Sequence, residues 1–389
     1  MHENSNVEKR LRIPKILRTL YSPSKVFKEL AENPSYRGVV LILILFIASN
    51  TFAVYALYTK RYIQKVKPNL FVGESDIWTE NATLWNSTGS CTESNDSVYG
   101  EYSINCTVTN ESELYMRVIL PETINCSAHE FNKTSFSLKL LNSSDNPANM
   151  SLILFSENNG HFIRSLDKEI KEIEKWDNWN NITVPLGEKE DEWIRKGNAS
   201  WHTISSVELL IKFSKKVNAT LLLDALFFQG QYESQVEYFT YDVILYGMHY
   251  FILFIIFWVI FGGLLYVLTK YAGSNLTWKH TLMISSYSLT SLFVQGIFWA
   301  TLFLFFLPQM NFQIDAPRGI YIPKEIPAAA ELIFNLLSYS QFAFLAWGII
   351  ISTFAVRILS DLTIGKSVMI SSASYLTAFF LAGVLSPFF

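Results

Sequence analysis

The chain is poor in cysteine and histidine and has no motif that gathers catalytic groups. Three cysteines occur in 389 residues: Cys91, Cys106 and Cys126. That is too few for a disulfide-dense scaffold, and no pair has zinc-ligand spacing. One disulfide and one spare thiol are possible, and spacing does not say which cysteines pair. The six histidines are His2, His129, His161, His202, His249 and His280, with no two placed to share a metal on one helix face. The chain lacks His-Glu-X-X-His, Gly-X-Ser-X-Gly, a phosphate-cradling glycine loop and Gly-X-Gly-X-X-Gly after a strand. No catalytic residue, cofactor or metal site is therefore expected. A net charge of -3 points to neither nucleic acid nor an acidic partner.

Hydrophobic residues make up 50% of the chain and aromatics 15%. The polar residues are segregated into blocks, and the apolar blocks are long enough to cross a bilayer core, which takes roughly 20 helical residues. They run over Val39–Tyr58, Val243–Leu268, Leu282–Leu307, Leu332–Val356 and Val368–Phe388. The first lies too deep in the chain, and is too long, for a cleaved signal segment, and Thr59, Lys60 and Arg61 follow it. Five spanning helices are expected, since only a helix closes its own backbone hydrogen bonds in hydrocarbon.

Thr59–Asp242 is different. It is rich in Asn, Ser, Thr and charge and has no spanning block. Of its 18 asparagines, 12 begin an Asn-X-Ser/Thr sequon: Asn81, Asn86, Asn95, Asn105, Asn110, Asn125, Asn132, Asn142, Asn149, Asn181, Asn198 and Asn218. Composition alone gives about 3 or 4. The excess marks a surface built to carry glycans outside the cell or in a lumen. Basic residues before the first block, from Lys9 to Arg37, favour a cytoplasmic N-terminus, but Lys60, Arg61, Lys65 and Lys67 follow directly. The sequons break that tie. The expected topology has the N-terminus inside, residues 60–240 outside and, after five crossings, the C-terminus outside.

The inserted region reads as β. Leu114, Met116, Val118 and Leu120 alternate with outward residues, as do Phe136, Leu138 and Leu140, and then Val207, Leu209, Ile211 and Phe213. Ala219–Phe228 is nearly continuously apolar. Period-two alternation broken by Asn/Ser/Gly turns predicts a two-sheet sandwich. The stretches WNNITVPLG (179–187), WHTISSVELLI (201–211) and LLLDALFFQG (221–230) resemble the last strands of jelly-roll domains of the galactose-binding and carbohydrate-binding-module type. Trp176, Trp179, Trp193 and Trp201 have two readings: a glycan-stacking platform, or aromatic filling between the sheets, which is the more common use of such residues. Asp224 reads as a local cap in preference to a calcium ligand, because no series of oxygen ligands accompanies it.

Ahead of the first block, Ser22-Pro23-Ser24 opens a short helix whose Val26, Phe27 and Leu30 form an apolar stripe suited to a membrane surface; Asn33-Pro34 closes it. This arrangement, the stretch FGGLLYVLTKYAGSNLTWKHTLMISSY (261–287) and the region 339–371 resemble the Yip family, five-span membrane proteins that interact with Ypt/Rab GTPases. The resemblance covers 12–58 and 243–389. Eukaryotic members have a short loop where this chain inserts a domain, and their Asp-Leu-Tyr-Gly-Pro signature is not found here, so the Rab partnership does not carry over. Archaeal and prokaryotic members with inserted domains fit better.

Ionisable residues in the spans sit near the edges: Asp242, His249, Glu331 and Arg357. Deeper polar groups are the amides of Asn50, Gln295, Asn335 and Gln341, read as glue between helices, and Gly262-Gly263 reads as a close helix contact or a local bend.

The expected organisation is a basic, amphipathic cytoplasmic segment (1–36), a first transmembrane helix (37–59), a glycosylated extracytoplasmic β-sandwich (60–240) and four further transmembrane helices (241–389). The expected fold class is thus a membrane all-α bundle plus an inserted all-β jelly roll. Its expected role is non-enzymatic: a membrane platform in contact with the lipid bilayer, displaying the sandwich to a glycan or protein partner, with a homo-oligomer possible. A surface glycan receptor and a small-solute transporter are the rival readings.

Overall fold

In the computed structural model, residues 15–32, 36–69, 77–127, 130–157, 160–315 and 320–385 are described. Lys9, Arg10, Arg12 and the Asn33-Pro34 stop lie outside them. The chain forms two compact units. One holds Met1–Arg61, Ser234–Met310 and Ile326–Phe389; the other holds Tyr62–Glu233 and Asn311–Glu325.

The first unit is helical. Its described elements are α1 (Lys15–Tyr21), α2 (Pro23–Glu32), α3 (Arg37–Tyr58), α5 (Val236–Tyr271), α6 (Trp278–Ser288), α7 (Thr290–Phe305), α8 (Ala328–Ser360) and α9 (Ile364–Leu385). Five stretches are long and apolar enough to cross a membrane: Arg37–Tyr58, Asp242–Tyr271, Trp278–Phe305, Ala328–Ser360 and Ile364–Leu385. The third is broken at Leu289, whose N–H is shared between the carbonyls of Ser285 and Ser286. Around the break, Ser285, Ser286, Ser288, Thr290 and Ser291 turn their hydroxyls back onto carbonyls three or four residues earlier. Such back-bonding bends helices. The second span ends in a Schellman turn: Ser274 N–H reaches the Thr269 carbonyl, Gly273 N–H reaches that of Lys270, and Gly273 has φ +87°.

The stripe on α2 corrects the expectation of a membrane-surface helix. Val26, Phe27 and Leu30 are wholly buried in the same core as Phe254, Phe261, Tyr287 and Tyr375. Phe27 meets the Tyr287 ring edge-on at 6.3 Å. The apolar face is spent on the bundle because the bundle offers it a partner surface. The amide-glue expectation also changes. The Asn50 side chain donates to the carbonyl of Phe46 in its own helix, and Asn335 is exposed. Close approach is instead made by glycines. A Cβ at Gly296 would lie 3.0 Å from the Ser49 backbone carbonyl carbon, bringing α7 onto α3. One at Gly262 would meet Leu282 at 2.9 Å, so α5 nests on α6, as the Gly262-Gly263 pair led us to expect.

The second unit is a β-sandwich. Its strands are β1 (Arg61–Lys67), β2 (Trp85–Ser87), β3 (Ser90–Ser94), β4 (Ser103–Ile124), β5 (Phe131–Leu141), β6 (Pro147–Ser156), β7 (His161–Ser165), β8 (Asn180–Pro185), β9 (Ile194–Lys196), β10 (Ile204–Ser234), β11 (Met310–Asp315) and β12 (Ile320–Pro323), with one short helix, α4 (Asp167–Lys171). Two long strands serve both layers. The first half of β10 pairs with β6 and the later part of β4; the second half pairs with the early part of β4 and with β5. The sheet is open. Register shifts fall in β10 between Lys212 and Val217, where its partner changes from β6 to β5, and between Asp224 and Phe227, within the part paired with β5. The alternation read from the sequence holds: Leu114, Met116, Val118, Leu138, Leu209 and Ile211 are all buried in one core with Phe136, Val184 and Phe228.

Residues 307–332, expected only as a connector, carry the hairpin β11–β12. The order β12–β11–β1–β10 continues the sandwich's sheet. Ile314 packs with Val66, Ala225 and Phe227 in a small second core, with Tyr99 and Tyr321 against it. A hairpin this short has little alternation to read.

Candidate functional site

The residues with ligand-type chemistry gather on the outer face of the sheet formed by β8, β5, β10, β1, β11 and β12. Strand pleating decides which ones. The register sets Thr183 opposite Ser135, Asn181 opposite Ser137 and Lys133 opposite Gln229. Ile182, Val184, Phe136 and Phe228 therefore point into the core, and their neighbours point outward. The outward set borders a groove of about 590 Å³. Six side-chain amides line it (Gln64, Asn132, Asn181, Gln229, Gln231 and Gln313), with Thr183, Tyr232, Lys133, Lys324 and Asp315.

The groove is held in shape by its own amides. Gln64 accepts from the Ile314 N–H at 3.2 Å, tying β1 to β11, while the Tyr321 hydroxyl donates to the Gln64 carbonyl at 3.0 Å. Gln229 donates to Ser135 Oγ at 2.8 Å. Thr134, behind the wall, donates to the Phe227 carbonyl at 3.1 Å. Burial raises the pKa of the Tyr232 phenol, which stays neutral and able to donate. A wall of amides and a phenol donates and accepts at many points with little net charge. That suits a ligand rich in hydroxyls.

The four tryptophans do not form one platform. Trp201 is buried, stacked on Phe162 at 3.9 Å and met edge-on by Trp193 at 5.3 Å. Trp193 donates to the Pro185 carbonyl at 2.9 Å. These two border a separate pocket of about 310 Å³ with Glu188, Glu190 and Arg195. Trp179 lies elsewhere, donating to Asp96 at 3.0 Å with the Lys139 ammonium 6.0 Å from its ring centre. Trp176 is half-buried against the core, and its carbonyl accepts from Leu140.

All twelve sequon asparagines are off the core. Asn81, Asn86, Asn95, Asn110, Asn142, Asn149, Asn181, Asn198 and Asn218 are exposed, and Asn105, Asn125 and Asn132 are half-buried. Cys91 and Cys106, in paired strands, form the disulfide, which leaves Cys126 as a buried free thiol whose pKa burial pushes up. Asp224 is wholly buried and accepts the N–H groups of Val98, Tyr99 and Ala225, pinning the loop before β4 to the bend in β10. Among the described residues no three His, Cys, Asp or Glu side chains are placed to hold a metal.

Sequence reasoning missed the groove. Its residues come from six strands, and one edge is supplied by residues about 80 positions past the rest of the unit. The one available signal was the run of polar residues on the outward positions of otherwise apolar strands.

Residues 209–386 match the Yip1 domain. The match opens within β10 and runs through α5–α9; it does not extend to residues 12–58, on which the resemblance also rested. No curated protein matches the chain. Among solved structures, a family 11 carbohydrate-binding module from Clostridium thermocellum, in complex with a β-1,3-1,4-mixed-linked tetrasaccharide, is 16% identical, covering 39% of this chain and 91% of that one with a TM-score of 0.28. The family 11 module of a cellulosomal cellulase of the same organism gives 16%, 43%, 95% and 0.29. A family 28 module specific for non-crystalline cellulose gives 9%, 41%, 96% and 0.27. The assignment of a sandwich rests on the strand pairing above, and the ligands of those modules are theirs alone.

Proposed function

We propose that this is a non-enzymatic membrane protein whose Yip1-type helical bundle is a platform and whose sandwich, displayed outside the cell, binds a hydroxyl-rich, glycan-class ligand in the amide groove. The groove itself carries the reading: a concave, nearly neutral face with six amides and a phenol. Its volume falls within the range of small-ligand sites, about 300–1,000 Å³. The sequon excess supports the outward orientation, and five crossings then leave the C-terminus outside. The edge placement of Asp242, His249, Glu331 and Arg357 supports a platform over a solute path, since transport routes are lined by deep ionisable groups.

The test is glycan-array binding by the full chain in detergent micelles. Tyr232→Ala and Gln313→Ala should each weaken a positive glycan about tenfold, the loss of one or two good polar contacts. Trp179→Ala should leave binding unchanged. Binding that survives both groove substitutions but is lost in Trp193→Ala would move the site to the second pocket and overturn the groove reading.

A further inference from the structure

Two of the groove's six amides begin sequons. Asn132-Lys133-Thr134 opens β5 and Asn181-Ile182-Thr183 lies in the adjacent β8. Both asparagines line the groove. Strand register explains why Asn181 faces it: Asn181 is opposite Ser137 and Thr183 is opposite Ser135, on the outward side of the pleat, while Asn132 sits where the pairing of β5 with β10 shifts register between Lys133 and Phe131. Asn181 is exposed and Asn132 half-buried, while Ile182 and Phe136 between them fill the core. A sugar joined to Asn181 must leave from the groove wall, because the opposite side of β8 is packed, and one joined to Asn132 starts from a side chain that itself borders the groove.

We infer that the groove's resident ligand is the chain's own N-linked glycan, carried on Asn132 and Asn181, and that an outside glycan binds only copies in which the groove is bare. This rests on the groove reading above and names its regulation. A tethered sugar needs no concentration of its own. Attachment a few ångströms from the site gives it an effective concentration in the millimolar range. An outside ligand of ordinary weak affinity loses to such a competitor. The remaining wall, Gln64, Gln229, Gln231, Gln313 and Tyr232, offers the donors and acceptors that pyranose hydroxyls require. The half-buried position of Asn132 does not bar attachment, since the acceptor can be modified before β5 is covered, and Thr134 becomes buried only in the finished sheet. The exposed sequons Asn86 and Asn149 also sit in strands but do not line the groove, so they serve as internal controls.

The experiment uses the full chain from a host that adds N-linked glycans. Glycopeptide mass spectrometry should find Asn132 and Asn181 occupied. Under native conditions an endoglycosidase should release their glycans at least tenfold more slowly than those of Asn86 and Asn149. Tyr232→Ala and Gln313→Ala should abolish that protection. Bare Asn132 and Asn181 beside occupied controls would overturn the inference. So would release at equal rates, or protection untouched by both wall substitutions, which would assign it to concavity alone. Asn132→Gln with Asn181→Gln should raise the affinity for any array-positive glycan about tenfold or more, and Thr183→Val with Asn132→Gln should do the same while keeping Asn181. Unchanged affinity in both would overturn the competition. An array with no positive glycan sinks the outside-ligand reading but leaves the occupancy and protection measurements to decide this one.

Discussion

In the sandwich, the deepest side chains include Trp78, Phe136, Phe228, Ile104 and Leu114, and a disulfide closes one sheet edge. In the bundle, buried positions include both large rings such as Phe261 and Tyr375 and hydroxylic residues such as Ser49, Ser286, Ser288 and Ser291, whose hydroxyls bond carbonyls of their own spans. The sandwich is assembled in water, where removing apolar area is favourable at about 25 cal/mol per Å². Between helices in lipid that driving force is missing, and close contact has to supply the attraction. Glycine and serine shorten the distance between helices, and hydroxyls that return to their own helix carbonyls cost little to bury.

The contrast predicts that opposite kinds of change damage the two units, removal of bulk in the sandwich and addition of bulk in the bundle. Phe136→Ala empties the middle of the sandwich and should cost about 3–5 kcal/mol there. Hydrogen exchange followed by mass spectrometry on the full chain reads it out: β5, β8 and β10 peptides should exchange faster, while α3 and α7 stay unchanged. Loosening of both units together would show one shared cooperative core.

In the bundle the damaging change is addition. Gly296→Leu places a side chain where the Ser49 backbone already lies 3.0 Å from the first added carbon. The helices must part, at a cost of about 1–3 kcal/mol. Exchange should rise in α3 and α7 and not in β5. If Gly296→Leu were silent, close packing would not be what holds these helices, and the amide-glue reading of Gln295, which is buried on the same helix, would regain its place.

What the sequence made legible follows from the same difference. The spans and the alternating strands were readable because each is a local pattern over one element. The disulfide was not, because three cysteines allow three pairings and only the β3–β4 register joins Cys91 to Cys106. The stripe of Val26, Phe27 and Leu30 was visible as amphipathic, but its partner was not, since a bundle face and a membrane surface look alike to an apolar stripe. The groove was least legible. Pleating decides that Asn181 and Thr183 face it while Ile182 does not, and its far wall comes from β11 and β12 in a distant connector. The tryptophans, prominent in the sequence, lie in the connecting segments before β8, β9 and β10 and are spread over separate places.

The smallest expected effect concerns charge, which further separates the two units. Asp96 accepts from Lys139 at 2.6 Å and from Trp179 at 3.0 Å, and the Lys139 hydrogen bond holds its carboxyl below the usual 3.8. A lowered value in the folded state means that the folded chain resists protonation more than the unfolded one. The resulting stability is fully present above pH 3.8 and is lost as pH falls through the folded value. Asp96 is 43% exposed, so water screens the pair and its contribution is about 0.2–1 kcal/mol. Asp96→Asn should therefore cost that much at pH 7, and the difference from the unmodified protein should shrink in acid as the native carboxylate also becomes neutral. Raising the salt should shrink it too. Exchange of the β5 peptide that contains Lys139, measured from pH 7 down to pH 3, follows both trends, with the intrinsic pH dependence of exchange divided out against an unfolded control. A difference that stayed constant across that range would mean that Asp96 acts through the shape of its hydrogen bonds, which asparagine only partly reproduces, and that charge adds nothing measurable to the sandwich.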